Sequence, residues 1–370
     1  MDNRGMLIGA NIADLHFGAF NPKEQYETLK EQFIDVIDQL PRLDYILIAG
    51  DIYHHKLMGN SDGLYYASIL IENIVRIAKN KNSTVVLIHG TFSHDADQLK
   101  NFYHYLNDPD IDIRIVTQIQ FEDIKGAKVL CIPELYGVDE SVYQQYLHYS
   151  GYYDQAFIHG TFEGAVYDNN VGNGRLFNIH DFDMCRGFII GGHVHTGGCF
   201  SGYFYYTGSP YRWQFGEEND KGFLISCHDL YTHRHYIYFH KIDCRKYITI
   251  NINDIISNDP KVIIEYINRL KQEQNIDYLK IKFNVPITGA DKIIIDNYYR
   301  NNAFTFVEFL DIMEERKIQA KESGILAPEY DFILDNRITE LEKFVKYVNI
   351  NEGTEFITVD KLKEVLEVIV

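Results

Sequence analysis

At 370 residues the chain is long enough for two or three domains, and 46% apolar with 24% charged residues is the balance of an ordinary globular protein. A formal net charge of −18 argues against nucleic acid gripped through a broad basic face, but not against a carboxylate-rich site neutralised by metal. No apolar run approaches the ~18–20 residues of a membrane span, no basic-then-apolar leader is visible, and five scattered cysteines suit a reducing cytosol. A cytoplasmic protein with no membrane association is the expectation.

Residues 7–13 read as a buried strand that runs straight into Asp14-Leu15-His16. Asn21-Pro22 then opens a helix as N-cap and first-turn proline, with Tyr26, Leu29, Phe33, Val36, Ile37 and Leu40 marking its core face. A second strand at 45–49 ends in Gly50-Asp51, a helix covers 65–78, and a third strand covers 84–88. Strand, polar loop, helix, strand is an α/β plan with a largely parallel sheet, and such sheets carry their working residues beyond the carboxyl ends of the strands.

From residue 111 strands come faster, at 111–116, 128–132, 155–159, 187–190, 204–207, 222–227 and 234–242, and predict a second sheet packed on the first. A strand at 247–253, a helix capped by Asp259-Pro260, a strand at 278–285 and a helical stretch at 291–299 make a small separate α/β unit. The remainder reads as helical. Thr305-x-x-Glu308 has the form of a capping box ahead of Phe306, Leu310 and Met313. Leu334, Ile338, Leu341, Val345 and Val348, then Val359, Leu362, Leu366 and Ile369, step like helix–helix seams. They serve either packing within the chain or docking of a partner's helices.

Five strand-end loops carry metal-ligand residue types: Asp14-x-His16; Gly50-Asp51 with His54 and His55; Ser93-His94-Asp95; His159-Gly160; and Gly192-His193-Val194-His195. Each alone has a dull explanation as a helix cap or a satisfied histidine. Together they point to a shared metal site of imidazole and carboxylate without cysteine, which suits manganese, iron or zinc. Two ions about 4 Å apart serve in-line phosphoester hydrolysis, and a bridging carboxylate must hold them; Asp51 is the natural candidate.

In order, D-x-H, G-D-x-x-H, H-D, H-G and G-H-x-H resemble the calcineurin-like metallophosphoesterases, and more narrowly the SbcD-type DNA repair nucleases related to the meiotic-recombination-eleven nuclease. Tyr206-Thr207-Gly208-Ser209-Pro210-Tyr211-Arg212, then Phe215-Gly216-Glu217 and Lys221-Gly222, resembles the segment that closes the nuclease domain of that family. The resemblance implies a four-layer αββα metallophosphoesterase sandwich over 1–243, a small α/β DNA-capping domain over 244–302, and a C-terminal helical region over 303–370 that binds the ATPase partner.

The same resemblance implies two divalent ions, manganese foremost with magnesium, iron or zinc as alternatives. Asp14, His16, Asp51 and His195 would hold the first, and Asp51, His159 and His193 the second. His94 would protonate the leaving oxygen or stabilise the transition state, Asp95 would orient it, and His54 would steer the substrate phosphate. The family's G-N-H-D is here Gly90-Thr91-Phe92-Ser93-His94-Asp95, so Ser93 stands where an asparagine ligand is expected, with water, Thr91 or the less favoured His89 as alternatives. Arg212 and Lys221 are candidate phosphate contacts, with a structural role for each equally open.

The implied function is the nuclease subunit of an SbcCD-like complex acting on DNA in recombination, repair or replication, homodimeric and paired with an SbcC-type coiled-coil ATPase. Alternatives are a phosphatase or cyclic-nucleotide phosphodiesterase of the same superfamily, and an architectural subunit with weak chemistry.

Overall fold

The computed structural model describes residues 5–147, 149–165, 175–253, 257, 259–285, 287–300, 304–309, 339, 342–346 and 358–360. The chain divides into two compact units. One runs to Ile248 and includes Asn275–Tyr278; the other holds Thr249–Gln274 and the described residues from Leu279 onward.

The first unit is mixed α/β. It runs β1 (Met6–Ile12), α1 (Pro22–Leu29), α2 (Asp35–Gln39), β2 (Tyr45–Ala49), α3 (Asp62–Lys81), β3 (Thr84–Ile88), the short turn α4 (Phe92–Asp95) and β4 (Ile113–Val116). It continues with β5 (Gln120–Ile124), β6 (Ala127–Ile132), α5 (Glu140–Leu147), β7 (Tyr153–His159), β8 (Thr161–Phe162), β9 (Leu176–Phe177) and β10 (Cys185–Gly192). Four more strands close it: β11 (Gly198–Ser201), β12 (Phe204–Tyr206), β13 (Lys221–Asp229) and β14 (His235–Ile242).

Two six-stranded sheets result, ordered β14-β13-β1-β2-β3-β4 and β11-β12-β10-β7-β6-β5. Strands β1 to β4 are mutually parallel, as are β6, β7, β10 and β12. Each central strand is apolar on both faces, as burial from both sides requires. Alternate residues sort accordingly. Tyr45, Leu47, Ala49, Val86 and Ile88 of one sheet share a buried cluster with Val129, Cys131, Phe157, Phe188 and Ile190 of the other. Their neighbours Ile46, Ile48, Val85 and Leu87 pack with Leu29, Leu70 and Ile74 of the helices. On the far sheet, Leu130, Ile132, Ile158 and Ile189 pack with Tyr143 and Leu147 of α5.

Asn21 caps α1 by accepting from the Lys23 and Glu24 amides, with Pro22 in the first turn, as expected. The helix expected to continue to Leu40 is instead broken by a π-helical segment at Lys30–Ile34 before α2. Its wider turn brings Phe33 and Ile34 inward together with Leu29 and Ile37.

The second unit contains β15 (Tyr247–Ile252), α6 (Pro260–Glu273), β16 (Tyr278–Phe283), α7 (Gly289–Arg300) and β17 (Thr305–Phe309), with the first residues of β15 and β16 falling in the first unit, in a sheet ordered β15-β16-β17. The capping box expected at Thr305 and Glu308 is corrected here: this stretch is a strand paired in parallel with β16. Thr-Phe-Val-Glu-Phe is β-branched and aromatic, with Phe306 and Glu308 exposed and Thr305, Val307 and Phe309 more buried between them. Glu308 does not reach back to a helix cap; it bridges Lys280 and Lys282 on the neighbouring strand. The helical seams expected through Leu334–Val348 and Val359–Ile369 lie largely outside the described residues. Among the described residues no helix is long and apolar enough to cross a membrane.

Candidate metal centre

The parallel strands of both sheets point their carboxyl ends at one place. Asp14 and His16 follow β1, Asp51 follows β2, Thr91 and His94 follow β3, Glu134 follows β6, His159 ends β7, and His193 and His195 follow β10. Backbone pairing continues beyond β1 and β2, with the Asp14 amide donating to Gly50 O and the His16 amide to Asp51 O, both at 3.0 Å. The turns that release the side chains are tight: Asp14, His16, Asp51 and His193 all have positive φ, at 55°, 46°, 53° and 89°. L-residues adopt that region at a cost, and such residues gather at functional sites. Gly90 makes room beside them, since a Cβ there would fall 2.2 Å from Asp51 Oδ1.

Two clusters of ligand atoms form. Asp14, His16 and His195 make one, and Asp51, His159 and His193 the other, each with its atoms within 4.8 Å of one another. Asp51 Oδ2 lies between them, 3.8 Å from His16 Nε2 and 3.4 Å from His159 Nε2. His16 Nε2 faces His195 Nε2 at 3.3 Å, and His159 Nε2 faces His193 Nδ1 at 3.2 Å. The structure thus brings together side chains that the sequence singled out in separate loops, with Asp51 Oδ2 near both clusters.

The rings are held from behind. His159 Nδ1 donates to the Ala49 carbonyl at 2.7 Å, and His195 Nδ1 to Glu217 Oε1 at 3.1 Å, which leaves each Nε2 turned inward. The His193 amide holds both oxygens of Asp14 at 3.0 Å. Because a carbonyl only accepts, the proton of a neutral His159 sits on Nδ1 and its Nε2 is a bare lone pair. That lone pair meets Asp51 Oδ2, and Glu134 Oε2 at 3.6 Å, with all three residues buried. Acceptors buried against one another need positive charge between them. Without an ion, a second proton on His159 supplies it: burial pulls its pKa down, but Asp51, Asp14 and Glu134 push it up to about 10. The residues present therefore fit a cation, and their imidazole–carboxylate donor set suits borderline divalent ions.

Electrostatics elsewhere follow the same crowding. Burial raises the Asp14 carboxyl to about 6 against the pull of His159 and His195. Burial also opposes ionisation of Asp51, yet His159 beside it drives the carboxyl well below the usual range. Burial and the neighbouring His159 lower His193 to about 4.

His94 sits at the rim, its Nδ1 held by the His54 carbonyl and its Nε2 4.0 Å from Asp51 Oδ2. His54 is exposed, stacked between His94 and Trp213, with His16, His54 and His94 forming a third group of convergent ring nitrogens.

Two expected roles, those of Asp95 and Ser93, are corrected, and Arg212 and Lys221, for which phosphate contact and a structural role were equally open, make structural contacts. Asp95 does not orient His94; it is buried and accepts from the Asp51, Tyr53 and Gly90 amides, so it shapes the loop that presents Asp51. Ser93 is exposed on α4 and does not reach the cluster. Thr91, in the loop just beyond β3, brings its hydroxyl within 3.3 Å of Asp51 Oδ2 and 3.4 Å of both His159 Nε2 and His193 Nδ1. Arg212 spends its guanidinium on the Cys244, Arg245 and Asn219 carbonyls. Lys221 is buried, with Nζ 2.8 Å from Glu217 Oε2 and 3.1 Å from His195 O, so it fixes the carboxylate behind His195 and does not face substrate.

Glu134 was missed by sequence reasoning. Its signal was available: Pro133-Glu134 follows a buried strand just as the other residues of the clusters do.

No family model matches the chain, and no curated protein matches it. One solved structure, 12% identical, superposes with a TM-score of 0.38 over 64% of this chain and 100% of its own, a likeness too low to bear on fold or function.

Proposed function

We propose that the chain is a metal-dependent phosphodiester hydrolase acting on DNA, a nuclease of the calcineurin-like metallophosphoesterase type with a four-layer αββα sandwich. The observation that carries this reading is the pair of ligand clusters joined at Asp51, built from the carboxyl ends of strands in two sheets. Asp14, His16, Asp51 and His195 would hold one ion, and Asp51, His159 and His193 the other, with manganese the leading candidate. When bound, such a pair polarises a phosphoryl oxygen and lowers the pKa of water.

The chain's own groups do the rest. The hydrogen bond to His54 O places the proton of a neutral His94 on Nδ1, so only the imidazolium presents Nε2–H to the site. In that form it can protonate a leaving oxygen. His54, exposed beside it, is the group available to a substrate phosphate. Glu217 and Lys221 keep the His195 ring oriented. We assign the second unit, with its β15-β16-β17 sheet, to DNA capping. The acidic chain would share its hold on DNA with a coiled-coil ATPase partner, as a homodimer.

The test is cleavage of supercoiled and end-labelled DNA with manganese, beside bis(4-nitrophenyl) phosphate as a generic diester. DNA cleavage should fall at least 10³-fold in Asp51→Asn and stop with chelator. Cleavage of the generic diester alone would defeat the DNA assignment, and an unimpaired Asp51→Asn would defeat the hydrolase.

A further inference from the structure

We infer that Glu134 is a direct ligand of the second cation, giving that position two carboxylates, from Asp51 and Glu134, and two imidazoles, from His159 and His193. The inference rests on the metal-centre reading above and names a residue that reading does not require.

Glu134 Oε2 stands 3.4 Å from His193 Nδ1 and 3.6 Å from His159 Nε2, and those two nitrogens are 3.2 Å apart. The three atoms form a near-equilateral triangle, and Asp51 Oδ2 lies 3.4 Å from the same His159 nitrogen. The Glu134 carboxylate is buried and held at both ends. Oε2 accepts from the Thr91 hydroxyl at 2.8 Å, and Oε1 accepts from the Tyr136 hydroxyl. One hydroxyl proton from Thr91 cannot satisfy both Glu134 Oε2 and Asp51 Oδ2, which lies 3.3 Å from the same oxygen. Two buried carboxylates and two inward-facing ring nitrogens around one point need a cation more than they need another hydrogen bond.

The charge count has a consequence. With Glu134 and Asp51 both anionic, this position carries more negative charge than the three-residue set alone would give it. It should hold a hard, oxygen-preferring divalent ion such as Mn2+ more tightly than a site completed by neutral groups. If Glu134 only buttressed Thr91, Glu134→Gln would keep a carbonyl acceptor for that hydroxyl and change little. If it is a ligand, the lost charge shows directly in binding.

The full chain titrated with MnCl2, followed by electron paramagnetic resonance of free Mn2+ and by calorimetry, separates these. The wild type should take two ions. Glu134→Gln and Glu134→Ala should weaken one of them by about 10–100-fold and leave the other unchanged. Wild-type affinity for both ions in both variants overturns the inference while sparing the metal centre; a wild type that binds no Mn2+ overturns both. A manganese-soaked wild-type crystal with anomalous scattering needs no variant. Glu134 Oε2 bonded to the second ion supports the inference, and two ions with Glu134 unbonded refute it.

Discussion

His159 concentrates the chemistry of the site in one ring. Its folded pKa, about 10, stands above the ~6.5 of an unfolded histidine. The stability it lends the ion-free chain is therefore fully present below ~6.5 and lost as pH rises through about 10. A divalent ion needs the neutral ring, so it must displace that proton, and Asp14 adds a second competing proton below about 6. Manganese affinity should accordingly climb with pH from about 6 toward 10, with protons released on binding near pH 7.5 from His159 and from His195, which Glu217 and Asp14 also push up against burial. Calorimetry in two buffers of different ionisation enthalpy reads that release directly, and its absence would mean that His159 is not displaced by metal.

The elements show which parts of the reading could be made without coordinates. Buried strands such as 45–49 and 84–88 are visible to the residue because an apolar, β-branched run bounded by polar turns has little else to become. Their ends then reveal Asp51 and His94, since chain order and chemistry coincide there. Partners that depend on side-chain reach were not legible. Ser93 and Thr91 differ by two positions in one loop, and only the turn of α4 decides which hydroxyl meets Asp51. Lys221 reads equally as a phosphate contact or a structural residue until burial ties it to Glu217. Thr305–Phe309 satisfies a helix-cap pattern and a strand pattern at once, and pairing with β16 decides between them.

An element-scale prediction follows from Gly192, the last residue of β10. A Cβ there would meet Ala49 O at 2.1 Å and His159 Nδ1 at 2.9 Å. Gly192→Ala must push the ends of β2 and β10 apart, at about 1–3 kcal/mol by analogy with overpacked cores, and disturb the bond that orients His159. Chemical denaturation should show that loss together with weakened manganese binding; wild-type values for both would refute the close approach.

At the scale of the molecule, the two clusters draw their side chains from loops of two different sheets, so ions held there would tie together parts of the chain that are remote in sequence. Anything that binds only the folded state stabilises it by mass action, by about 2.7 kcal/mol at one hundred times Kd. Stripping metal with a chelator should lower the thermal midpoint by several degrees, and readdition of manganese should restore it. A midpoint indifferent to both would count against a structural link through the ions. The net charge of −18 acts in the same direction, because divalent cations relieve a concentration of carboxylates that the ion-free fold must tolerate.

The left-handed turns at Asp14, His16, Asp51 and His193 set chemistry against comfort. At each of these corners the backbone would rest more easily on glycine, the one residue that turns this way without protest. A descendant that let the four corners relax would gain sturdiness and lose the convergence of these side chains. On the hydrolase reading proposed above, tolerance to heat and activity would thus compete directly at four named places.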